Sequence, residues 1–153
     1  GVGFSRWEMG KFVRCVRDDS LFAAAKKMRE AHVGDVVVVR RRNARYQPVG
    51  MLTDRDIVVA TIALKVPLEM LSVGDVMTMS VVSVRENDSL GKVLERMREH
   101  GVRRIPVLGR NNELRGIVAI EDIICFLSKQ LSILSEIFAR ERKFESRRRL
   151  RIA

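Results

Sequence analysis

The chain is 153 residues long, 46% apolar and 31% charged, with 29 Lys/Arg against 19 Asp/Glu and a net charge of +10. Such a chain suits one domain, or two very small ones that share a core. No apolar run reaches the ~18 residues of a membrane span, and no charged-then-apolar leader marks export. The positive excess favours anionic partners such as nucleotides, nucleic acid or an acidic surface, without choosing among them.

In chain order, FVRCV (residues 12–16) predicts a short strand. Asp19 and Ser20 follow as N-cap types, and Leu21, Ala24, Ala25 and Met28 then recur on one helical face. VVVV (36–39) predicts a buried strand, RRRNARYQP (40–48) a long polar loop, and PVGMLT (48–53) a further strand. A closing helix starts near Thr53–Asp54. A short joining segment lies around Pro67–Gly74. After it the same order returns: VVSV (81–84) as a strand, Asp88–Ser89 as a cap, and Leu90, Val93, Leu94 and Met97 on a helical face. Gly101 ends that helix in the manner of a C-terminal glycine. IPVL and RGIVAI then read as strands around the loop GRNNELR, and a helix begins at Asp122 with no breaker beyond it.

Residues 19–39 align without a gap on residues 88–108, and one gap of three brings GMLTDRD (50–56) onto GIVAIED (116–122). The chain is therefore a duplicated β-α-β-β-α unit of about 60 residues. One such unit is marginal alone, because it buries too little of its surface. Two copies stacked sheet to sheet make one α+β module with pseudo-twofold symmetry and clefts where the copies meet.

GMLTDRD carries the chemistry. The first free N–H groups of a helix starting at Thr53–Asp54 suit a phosphate. The Asp56 carboxylate can take both hydroxyls of a ribose, Thr53 adds a hydroxyl and Arg55 a cation. Thr-x-x-Asp is also the pattern of a capping box, with Asp56 reaching back to Thr53. The second copy keeps Asp122 but has Ala119, which cannot cap.

The segment VGDVMTMSVVSVRENDSLGKVLERMREHGVRRIPVLGRNNELRGIVAIEDI resembles a cystathionine-β-synthase (CBS) domain almost from end to end, and residues 9–63 resemble a second one. The resemblance implies a stand-alone CBS pair, or Bateman module. Its expected parts are CBS domain 1 at 8–66, CBS domain 2 at 73–130, and a C-terminal helix and basic tail at 131–153. It implies a regulatory unit binding an adenosine-containing ligand: AMP first, or ADP, ATP, NAD or S-adenosylmethionine. No further cofactor is expected.

By the family's pattern, Gly50, Thr53 and Asp56 contact ribose and phosphate in the first copy, and Gly116 and Asp122 in the second. The hydroxyl missing at Ala119 costs about 0.5–1.5 kcal/mol, so the second site is weakened. The resemblance also carries over Asp35 and Val36 as the adenine slot of one site, and Arg104, Ile105 and Pro106 as that of the other. Arg103 and Arg104 are candidate phosphate partners, or else a solvated basic edge.

Leu127, Leu131, Leu134 and Phe138 follow 4-3-4 spacing with Ile124 three residues earlier, a seam for another helix. Together with the family's habit of forming disc-like dimers, this predicts a homodimer held partly by that helix. Beyond it, seven Arg/Lys against three Asp/Glu over residues 136–153 predict a frayed, solvated tail. A nucleic-acid-associated regulator using that tail, or a ligand-free dimeric scaffold, is the alternative. Cys15 and Cys125 form no CxxC, so buried free thiols in a reducing, cytoplasmic setting are expected. His32 and His100 sit at helix ends, and no GxSxG, P-loop or HExxH occurs. No catalytic or metal site is expected.

Overall fold

The computed structural model describes residues 12–79 and 81–152. The expected start of the first domain, residues 8–11, lies outside the described residues. The first repeat folds as β1 (Arg14–Cys15), α1 (Leu21–Ala31), β2 (Asp35–Arg42), β3 (Arg45–Thr53) and α2 (Asp54–Ala60). A 3-10 turn at Leu68–Met70 and the short helix α3 (Val73–Val76) join it to the second repeat. That repeat comprises β4 (Val84–Arg85), α4 (Leu90–His100), β5 (Arg104–Leu108), β6 (Leu114–Ala119) and α5 (Ile120–Ile152). The chain divides into two compact units, one ending at Ala119 and one starting at Ile120.

Each repeat builds a three-stranded sheet, β1-β2-β3 and β4-β5-β6, with a parallel first pair and an antiparallel hairpin. The duplication extends to register. Cys15 lies opposite Val38 as Val84 lies opposite Val107, and a bulge follows Val38 and Val107 alike. Ser20 caps α1 by accepting the Ala23 N–H at 3.1 Å, and Ser89 caps α4 by accepting that of Lys92 at 3.3 Å.

Alternation along β2 divides the core. Val36 and Val38 bury with Leu21, Ala24, Met28, Cys15 and Leu52 on the helical side of the first sheet. Val37 and Val39 turn to the opposite side and bury with Ile117 of β6, so the two sheets share a core. Burial of each such aliphatic side chain contributes roughly 1.5–3 kcal/mol. The joining segment belongs energetically to the first repeat: Val73 and Met77 are buried in its helical-side core. The Val73 N–H also donates to Asp19 O at 2.9 Å.

Several expectations need correction. RRRNARYQP is not a long loop: Arg40–Arg42 and Arg45–Pro48 extend the β2–β3 hairpin, closed by Asn43 and Ala44 alone. Both turn residues have positive φ, 49° and 59°, as a two-residue hairpin turn that follows the sheet twist requires. The strands read from FVRCV and VVSV shrink to the pairs Arg14–Cys15 and Val84–Arg85. On α4, Leu94 is exposed, while Val93 and Met97 are buried. Cys15 is buried, but Cys125 is exposed on α5, most of whose circumference is in solvent. The tail is not frayed either. α5 runs unbroken for 33 residues to Ile152, since no Gly or Pro interrupts it and Glu136/Arg140 and Glu145/Arg149 have stabilising i, i+4 spacing. No helix among the described residues is long and apolar enough to cross a membrane.

Candidate functional site

Thr53 ends β3 and caps α2. Its side-chain oxygen accepts the Asp56 N–H at 3.1 Å, and its own N–H donates to Asp56 Oδ2 at 2.9 Å. The capping box is therefore formed. It occupies one carboxylate oxygen of Asp56 and leaves Oδ1 without a hydrogen bond among the described residues. The Asp54 N–H donates to Gly34 O at 2.9 Å, tying the start of α2 to the turn between α1 and β2. Arg55, next to the cap, is exposed and makes no ion pair among the described residues.

Strand register joins this corner to the other repeat. Asp35 opens β2 directly opposite Thr53, and Arg104 opens β5 directly opposite Ala119. Arg104 Nε reaches Asp35 Oδ2 at 2.9 Å, with both side chains about one-quarter exposed or less. Under the 69-residue offset Asp35 and Arg104 are equivalent positions, so corresponding residues of the two copies meet as opposite charges. The spacing did not foretell this pair, although an acid and a base at one repeat position was the available signal. Arg104 thus has a carboxylate partner in addition to its expected role toward a phosphate.

Val36 and Ile105 are fully buried. Val36 packs on the helical side of its sheet, so only backbone groups of that position can address a ligand between the sheets. Pro106 is buried in β5 opposite Ile117, whose side chain belongs to the core between the sheets. Arg103 is exposed, just ahead of β5. Asp122 is half-buried in the first turn of α5.

Gly50 has a packing reason of its own. A Cβ there would stand 2.8 Å from Thr78 O and 2.7 Å from Met77 Sδ. Next to it, Met51 and Thr78 exchange both backbone hydrogen bonds, at 3.0 and 2.8 Å. The missing side chain lets the joining segment lie against β3 through a single antiparallel bridge, Met51 to Thr78. Gly116 is buried at the matching point of β6, opposite Val107. Among the described residues, no cluster of three or more His, Cys, Asp or Glu could hold a metal ion.

The comparisons agree with this geometry. The chain is 41% identical over 109 residues to the uncharacterized protein YlbB of Bacillus subtilis, covering 71% of each. It is 36% identical over 116 residues to hypoxic response protein 1 of Mycobacterium tuberculosis, covering 75% of this chain and 78% of that protein. A CBS domain protein of Pyrobaculum aerophilum, solved in complex with AMP, superposes with a TM-score of 0.69 at 26% identity. That match covers 79% of this chain and 89% of the other. The sequence model of the CBS domain matches twice, over residues 9–62 and 73–129, and the chain belongs to the CBS-domain family as a tandem pair.

Proposed function

We propose that this protein is a regulatory module that binds an adenosine-containing ligand between its two CBS repeats and signals by a change of conformation or of dimer contacts. The observation that carries this reading is the corner built by Asp35, Thr53, Asp56 and Arg104. There an aspartate with an open oxygen and a helix start lie beside a cross-repeat ion pair. Asp56 Oδ1 is suited to a ribose diol, and the exposed Arg55 together with the Arg103–Arg104 edge to phosphate. Gly50 and the backbone of Asp35 and Val36 complete the first site. Arg104, Ile105, Pro106 and Gly116 are the corresponding residues of the second repeat, and Asp122 is the sequence equivalent of Asp56; Ala119 stands where the first repeat has the Thr hydroxyl. The AMP bound by the P. aerophilum protein supports AMP as the first ligand to try.

On this reading the CBS domains span 8–66 and 73–130, with 131–153 as the C-terminal helix. The protein is not an enzyme, needs no cofactor beyond the regulatory nucleotide, and works in the cytoplasm. A homodimer through the CBS helices and the C-terminal helix is part of the proposal. Exposed Phe22, Val58, Val59 and Ile62 on α1, α2 and just beyond supply apolar surface for it.

The test is calorimetric titration with AMP, ATP, NAD and S-adenosylmethionine on the native protein and on Asp56→Asn. Saturable binding to one of them, weakened at least tenfold in the folded variant, is the expected result. Absence of binding by all four overturns the reading.

A further inference from the structure

The helix α5 exposes seven large apolar side chains within fifteen residues: Ile124, Leu127, Leu131, Ile133, Leu134, Ile137 and Phe138 are each at least 40% exposed. Five of them, Ile124, Leu127, Leu131, Leu134 and Phe138, follow strict 3-4-3-4 spacing, the a and d positions of a heptad repeat. The charged residues of residues 124–138 are Lys129 and Glu136. Both fall at the f position, directly away from the seam. The positions flanking the seam are Ser128, Gln130, Ser135 and Ile137, none of them charged. An exposed apolar row of this kind, on a soluble helix with its charges set opposite, is a partner surface.

The charges at the two ends choose the orientation. Residues 139–152 contain seven Arg/Lys and two Glu, a net +5, whereas the first turn holds Glu121 and Asp122. A parallel pair would lay the two +5 segments side by side. An antiparallel pair whose twofold passes between Leu131 and Leu134 sets Leu131 across from Leu134 and Leu127 across from Phe138, and brings the acidic first turn of each helix beside the basic segment of the other. It also holds the Arg-rich ends apart by nearly the full helix length, about 50 Å.

We infer that α5 pairs with α5 of a second copy as an antiparallel two-helix coiled coil whose twofold passes between Leu131 and Leu134. This deepens the dimer reading given above and rests on it only for the presence of a second copy. The heptad ends at Phe138, because Glu141 and Glu145 occupy the next two seam positions. The basic end of each helix therefore projects beyond the paired segment.

The experiment places a spin label at Ser146→Cys in a Cys125→Ser background and measures label-to-label distance in the full chain without nucleotide. The antiparallel arrangement predicts a single distance of about 40 Å, from about twenty-seven residues of helix between the two labels. Leu131→Glu should abolish it. Circular dichroism and AMP titration of that variant show separately whether the chain still folds and whether the nucleotide reading stands. A distance below about 20 Å means a parallel pair, and absence of dipolar coupling means unpaired helices. Either result overturns the proposal. So does a chain that sediments as a monomer and floats with phosphatidylglycerol vesicles, which would make a lipid surface the occupant of the apolar row.

Discussion

Thr53 and Asp56 satisfy one another across the first turn of α2, each accepting the other's backbone N–H. The pair therefore serves the fold whether or not a ligand is present. Thr53→Ala should cost about 1 kcal/mol in urea denaturation, the usual value of an N-cap, and Asp56→Ala a similar amount. Asp56→Asn keeps an acceptor for the Thr53 N–H and should cost less. A ligand effect is recognised when Asp56→Asn weakens nucleotide binding by far more than its stability change accounts for.

Gly50→Ala tests a different role. The added methyl meets a backbone carbonyl, that of Thr78, which has no rotamer to change. We expect a loss of roughly 1–3 kcal/mol, the range for overpacking a filled site. Faster amide exchange at Met51 and Thr78 should accompany it, as their paired hydrogen bonds open. Unchanged exchange there would remove the packing explanation.

Two residues with positive φ offer stabilising changes. His32 ends α1 at φ 54°, where the equivalent Gly101 ends α4 at φ 61°. Ala44 takes the second turn position of the first hairpin at φ 59°. His32→Gly and Ala44→Gly should each stabilise the protein by about 1 kcal/mol, because a left-handed conformation penalises a side-chain-bearing residue. Eight residues of β2 separate the two sites, so the gains should add. Gly101→Ala should cost about the same amount. Thermal melts of these three variants and of the His32→Gly/Ala44→Gly double variant read all of this.

The acid limb of stability should depend on Asp19 and Asp88. Burial opposes their ionisation, but the N–H groups of Val16 and Arg85 and the ammonium groups of Lys27 and Lys92 outweigh it. Both carboxyls are held below their ordinary value. Their contribution is complete above the unfolded-state pKa of about 3.9 and is lost as pH falls through the lower folded-state value. Asp88→Asn should lower stability at pH 7 and flatten the decline below about pH 4, the difference from the native protein closing as pH falls through the folded-state value. A constant difference across that range would show that the Asp88 charge contributes nothing.

Arg104 and Asp35 can be tested by charge exchange. Asp35→Arg or Arg104→Asp alone sets like charges together in a partly buried place. Each should be less stable than the double exchange, with a coupling energy of about 0.5–3 kcal/mol for residues in contact. Additive losses would mean that the pair contributes no mutual stabilisation.

The duplication was legible in the sequence because apolar strands and capped helices recur at a constant offset, and periodicity survives any change of surface residues. The β2–β3 hairpin was not. Three arginines read as loop because they carry no apolar alternation; ladder pairing from Arg40 to Arg45 makes them strand. Asn43 was the one local clue, and Ala44 hid it by standing where such a turn usually has glycine. The cap at Thr53 and Asp56 was visible as one of two meanings of the same residues, and its geometry admits both. The Asp35–Arg104 contact depends on how one sheet faces the other, which local pattern does not encode.

That contact bears on the history of the chain. Two identical ancestral units related by a twofold axis would bring this position against itself, acid on acid or base on base. An ion pair there requires that the copies have already become different. Each repeat now carries half of a lock whose key is the other, and self-pairing of either half is penalised by its own charge. Expressed apart, the halves should pair with each other in preference to themselves.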